Sequence, residues 1–141
     1  MQIDKYGITA MLARRTGEDL DAEKIGSTAL FVWSDLDEAL LPIIGRSGVA
    51  VLYKRSLQIT LGAYPCLIYA YDEAERAGKA HAGLDIALSQ QTSEHALEAL
   101  SALLIAFHEL LTYLIGSSLS ERLIQSVWDK PTNGDAERKS E

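Results

Sequence analysis

One stretch of this chain restricts its fold more than any other. Leu97, Leu100, Leu104, Phe107, Leu111 and Leu114 recur alternately three and four residues apart. That spacing lays a continuous apolar stripe along one face of an α-helix. Leu103, Leu110 and Ile115 widen the stripe, so the helix is expected to be buried on more than one side. Thr92 or Ser93 is placed to cap its start, and Gly116 to end it.

The end of that helix has a counterpart earlier in the sequence. A shift of 71 residues lays Leu36–Leu57 over Phe107–Trp128. Glu38 then meets Glu109, Leu40 meets Leu111, Ile44 meets Ile115, Gly45 meets Gly116, Ser47 meets Ser118 and Leu52 meets Leu123. In both copies an apolar helix stops on Ile-Gly, and a serine is placed to cap the next helix. Ser118 and Glu121 have the spacing of a capping box. The last helix would turn Leu119, Leu123, Ile124, Val127 and Trp128 inward. Each helix–corner–helix hairpin has one apolar face and cannot bury it alone, so the two should pack together. The expected fold is all-α: a bundle of about four core helices, built from repeated hairpins at about residues 27–60 and 92–129.

The remaining segments are less regular. "YGITAMLARR" reads as a short helix and "TGEDLDAE" as a turn leading into another. In the first hairpin Phe31, Trp33, Leu36, Leu40, Ile43 and Ile44 recur at helical spacing. Val49, Leu52, Tyr53 and Leu57 follow beyond Gly45. Between about 61 and 91, Pro65 breaks a helix reaching it, so a loop is expected, with one short helix near Leu84–Ser89. One helical domain is expected over residues 1–129, with its core at 22–129 and a disordered polar tail at 130–141.

Composition removes several function classes. A net charge of −7 and no Lys/Arg run longer than "ARR" or "YKR" speak against a nucleic-acid partner. The longest uncharged stretch, Ser56–Tyr71, is too short to cross a bilayer, and no signal peptide fits the start, so a cytoplasmic location without membrane contact is expected. Cys66 is the sole cysteine and reads as a small buried hydrophobe. The three histidines and one cysteine include no HxxxH or CxxC spacing, so neither metal nor cofactor is expected. His81 and His95 read as solvated residues near a loop or a helix start.

The strongest candidate site residue is His108, which lies on the flank of the apolar stripe with Ser101 and Thr112, beside Glu109. Phosphoryl transfer needs an accessible imidazole nitrogen, a carboxylate to hold the other nitrogen, and polar groups for the phosphoryl oxygens. "HELLTYL", residues 108–114, resembles the H-box of two-component sensor histidine kinases and phosphotransfer proteins. It departs at Leu111, where that family usually has arginine, and at Tyr113, where it usually has proline. The resemblance implies a phosphoacceptor role for His108 assisted by Glu109 and Thr112. It covers barely ten residues, and the ATP-binding motifs of a kinase are absent. A second candidate region is the tyrosine cluster around Pro65. Tyr64, Tyr69 and Tyr71, followed by acids, suit a protein-recognition loop in which Ser101 and His108 would be further contacts.

The leading expectation is therefore a non-enzymatic regulatory or adaptor module of a bacterial signalling pathway. It would dock onto a protein partner, such as a two-component signalling protein, and act as a homodimer through the broad apolar surface of Leu97–Ile115. The alternatives are a histidine phosphotransfer protein using His108 and a sensor bundle binding haem or a small apolar ligand between its hairpins.

Overall fold

A computed structural model describes residues 4–17, 20–79 and 81–129. The described residues form six α-helices: α1 (Lys5–Thr16), α2 (Ala22–Thr60), α3 (Ile68–Ala77), α4 (Leu84–Ser89), α5 (Ser93–Ile115) and α6 (Ser117–Trp128). A single 3₁₀ turn, Pro65–Leu67, leads into α3. The all-α architecture expected from periodicity is what the chain adopts. The expected tail at 130–141 lies outside the described residues.

Although α2 runs from Ala22 to Thr60, it is not straight. Gly45 interrupts it with φ 76° and ψ 167°, a region that side-chain-bearing residues essentially do not occupy. How sharply the chain turns there follows from two aromatic rings. Trp33 and Tyr53 stand twenty residues apart, which a straight helix would separate by ~30 Å, yet their ring centroids lie 4.9 Å apart. The two limbs of α2 therefore fold back on each other as a hairpin. Gly116 joins α5 to α6 with nearly the same backbone, φ 91° and ψ 158°. There Thr112 Oγ1 and Ser120 Oγ meet across the corner at 3.0 Å. Both glycines have open space where a Cβ would stand, so their backbone angles, and not crowding, require glycine. The repeated corner read from the sequence is thus matched in conformation.

The two hairpins also point the same way. Phe107 of α5 packs edge-on against Trp33 at 4.8 Å, which sets those residues at one level. Tyr64, just past the second limb, lies 5.7 Å from His95 in the first turn of α5. The second limb can reach the start of α5 only if the first limb runs parallel to α5, so both glycine corners lie at one end of the bundle. From the opposite end α3 climbs beside the second limb, where Lys54 pairs with Glu75, and α4 returns beside the first. The approach of α4 is close: a Cβ on Gly26 would come 2.5 Å from the Asp85 carbonyl oxygen.

Several local expectations need correction. Residues 61–91 are not a loop with one short helix. Pro65 opens the 3₁₀ turn that starts α3, because proline at the first helical positions forgoes an N–H that has no partner there anyway. The helix near Leu84–Ser89 is present as α4. The Ser118–Glu121 capping box does not form, because α6 begins at Ser117 with Gly116 in the cap position and no side-chain cap. Ser47 lies inside α2 for the same reason. Thr92 does cap α5, its Oγ1 accepting from the His95 amide at 3.1 Å. The core begins before residue 22, since Ile8, Met11 and Leu12 of α1 are fully buried in it.

α1 is held in place by charge as well as packing. Arg15 is 3 % exposed, and its guanidinium donates to Asp35 at 2.7 Å and to the Val127 carbonyl at 2.9 Å. Arg14 donates to the Trp128 carbonyl at 2.8 Å. These arginines satisfy the last carbonyls of α6 with the charge that suits a helix C-terminus. α5 is the one described helix long and apolar enough to span a bilayer. Nine of its residues are buried within the protein, from Ala96 to Leu111.

Candidate functional cleft at the Gly45 corner

Near Gly45, both limbs of α2 and the connection between α3 and α4 line a cleft of about 790 Å³. Leu30, Leu41, Val49, Ala50 and Ala82 supply its apolar wall. Ser34, Asp37, Glu38, Arg46, Lys79 and His81 supply its polar groups. Its walls come from both sides of the corner, so the bend itself creates the cleft. A volume of this size, with apolar surface beside convergent polar groups, falls in the range of small-molecule sites.

His81 anchors the floor. Its Nε2 lies 2.9 Å from Asp37 Oδ2. Its ring stacks on Trp33 at 5.5 Å and meets Tyr53 edge-on at 4.5 Å. With Phe107 edge-on to Trp33, these rings form one continuous cluster. The cluster contains polar atoms that the protein does not satisfy. His81 Nδ1, Tyr53 Oη and Trp33 Nε1 are buried and have no hydrogen-bond partner. Leaving such an atom unpaired costs on the order of 1–3 kcal/mol, so three in one cluster beside a cleft stand apart from ordinary packing. Burial, and to a smaller extent the Asp37 carboxylate, push the Tyr53 phenol far above its usual range, so it remains protonated.

His81 read as solvated in the sequence, whereas its side chain is only 15 % exposed and sits against two buried aromatics. No sequence spacing announces it, because Asp37 lies 44 residues away. The one hint was indirect. Under the 71-residue shift Asp37 overlies His108, and both positions hold polar side chains directed at a neighbour.

His108 itself is half-buried. Its Nε2 lies 3.4 Å from Thr112 Oγ1, which also bonds Ser120. Burial pulls its imidazole below the usual histidine range, against the opposing pull of Glu121 and Glu109. Thr112, one turn further along α5, is thus beside His108. Among the described hydrogen bonds none joins Glu109 to the imidazole, and Glu109 is exposed.

Of the proposed recognition tyrosines, Tyr64 lies in the turn before Pro65, and Tyr69 and Tyr71 lie on α3. Tyr64 lies half-buried against His95. Tyr71 accepts from Gln58 Nε2 at 3.1 Å and lies beneath the Lys54 ammonium. Only Tyr69 of the three is exposed. Ser101 is buried with its hydroxyl unpartnered, so it offers no contact to an outside protein. Burial pushes the Cys66 thiol up, which suits a packing role.

The strongly exposed apolar side chains near the corners went unnoticed as a group. Leu41 and Ile43 precede Gly45, while Tyr113 and Leu114, 95 % and 57 % exposed, precede Gly116. Both sets lie toward the same end of the bundle, and Ile43 and Leu114 are equivalent under the repeat. No family model, no curated protein and no solved structure matches this chain.

Proposed function

We propose that the chain is a non-enzymatic regulatory module that binds a small amphipathic molecule in the cleft at the Gly45 corner. The observation that carries this reading is the cleft itself: about 790 Å³, walled by both limbs of α2 and floored by His81 and Asp37. His81, which lines the cleft and whose Nδ1 has no hydrogen-bond partner, supports it, since a ligand with a donor near that atom would gain a hydrogen bond the protein leaves unmade. A ligand there touches residues on both sides of the bend and thus favours one angle between the limbs. A molecule that binds one arrangement better shifts the population toward it.

The test uses Nile red, a neutral dye that fluoresces in apolar surroundings, with the wild type and Ala50→Phe. Ala50 is half-buried on the cleft wall, so the ring occupies the space without replacing a core residue. Saturable dye binding by the wild type, lost in the variant, is the expected result. Equal binding by both, or none by the wild type, refutes the reading.

A second reading, docking onto a protein partner in a bacterial signalling pathway, is favoured by the exposed apolar residues near the two corners. The two readings are compatible, because Leu41 belongs both to the cleft wall and to that end. In this form the ligand sets the corner and the corner end engages the partner. Loss of partner binding in Tyr113→Ser/Leu114→Ser, with dye binding retained, separates docking from ligand recognition.

A further inference from the structure

Resting on the cleft being a ligand site, we infer that its ligand is an uncharged molecule that donates a hydrogen bond to His81, such as an alcohol or a primary amide with an apolar body. Charge provides the first argument. Besides His81, the lining holds two acids, Asp37 and Glu38, and two cations, Arg46 and Lys79. These four sum to no net charge, so an ionic ligand would surrender hydration without a compensating attraction. Leu30, Leu41, Val49, Ala50 and Ala82 meanwhile offer an apolar body much to bury.

The tautomer of His81 supplies the second argument. Its Nε2 lies 2.9 Å from Asp37 Oδ2. A carboxylate can only accept, so Nε2 carries the imidazole proton and Nδ1 keeps an acceptor lone pair. Among the described residues nothing donates to Nδ1, and the atom is closed to solvent. Other polar side chains of the lining differ in this respect. Ser34, Glu38, Arg46 and Lys79 are exposed, so a ligand bond to any of them replaces a bond to water and gains little. A bond to Nδ1 replaces none and keeps its full worth. His81 stands in the connection between α3 and α4, outside both helices, so a small shift of that connection brings Nδ1 to the ligand.

Displacement of Nile red from the full chain by octanol, heptyl methyl ether, octanoate and octylammonium tests the inference. Octanol and the ether are isomers with apolar bodies of nearly equal size, but only octanol can donate. Octanol should displace the dye at a concentration roughly three- to tenfold below that of the ether, and below those of both ions. In His81→Phe, which keeps a ring in the stack and removes both nitrogens, the advantage of octanol over the ether should vanish. Circular dichroism before titration checks the fold of the variant, and if it does not fold the wild-type ratio decides alone. Octanol no better than the ether, an ion that outcompetes octanol, or an advantage that survives in His81→Phe overturns the inference although the cleft still binds. Failure of the dye to bind at all instead removes the reading beneath it.

Discussion

Replacing Gly45 and Gly116 with alanine tests whether both corners owe their shape to backbone conformation. A Cβ at either position meets nothing within 4 Å, so steric collision adds no cost. The conformations, φ 76° with ψ 167° and φ 91° with ψ 158°, belong to a region that costs a non-glycine residue about 1–3 kcal/mol. Alanine recovers about 0.4–1 kcal/mol of that by narrowing the unfolded ensemble. Each single substitution should therefore cost about 1.5 kcal/mol, and the two costs should be alike because the angles are alike. For a chain of this length that corresponds to a fall of roughly 5 °C in Tm. The double variant, at about 3 kcal/mol, should still fold, against the ordinary stability of about 5–15 kcal/mol. Gly62→Ala is the control: Gly62 has open space and is not among the positive-φ glycines, so it should be neutral or gain a few tenths of a kcal/mol. Urea unfolding monitored at 222 nm, with an unchanged slope, measures all four. A loss under about 0.5 kcal/mol at both corners would refute the conformational account, and a large inequality would refute the equivalence of the two hairpins.

Other perturbations probe separate contacts. Tyr53→Phe removes a buried hydroxyl that has no partner, so stability measured without ligand should rise or hold steady, by up to about 1 kcal/mol; a clear loss would mean the hydroxyl is satisfied. Arg15→Ala strips the buried partner from Asp35 and the α6 carbonyls and should cost roughly 3 kcal/mol in urea, whereas a neutral result would remove α1 from the cooperative core. Burial lowers the His108 pKa in the folded state, so the unfolded chain binds protons more readily. Stability from this group is present above the unfolded value of about 6.5 and is lost as pH falls through the lower folded value. Melting curves across that range should show a slope that His108→Gln reduces; an unchanged slope assigns the loss to other groups.

Helical periodicity made the fold class legible, and the repeated Ile-Gly made the corners legible, because both depend on local properties of the chain. The corner geometry was only half visible. Gly45 and Gly116 announced a stop, but capping by Ser47 and Ser118 was the natural expectation, and the glycines hold the cap position themselves. Pro65 misled because proline either breaks a helix or begins one, and only the packing of Leu67 and Ala70 into the core decides between them. Of the candidate site, Asp37 and His81 meet across 44 residues, and Arg46 and Lys79 belong to different elements. No single-sequence pattern joins them, since the bend at Gly45 and the path of α3 bring them together. Ser101 failed as a surface residue because the α5 stripe is wide enough to bury its flank too.

The claim that matters most is that the cleft takes up an apolar-bodied ligand. A methyl-resolved NMR titration with octanol tests it directly on the full chain. The account predicts saturable shifts concentrated at Leu30, Leu41, Val49, Ala50 and Ala82, with Leu114 and Ile59 unmoved. Shifts confined to the exposed methyls of Leu114, Ile59 and Val51, or none in the cleft at saturating octanol, would contradict it.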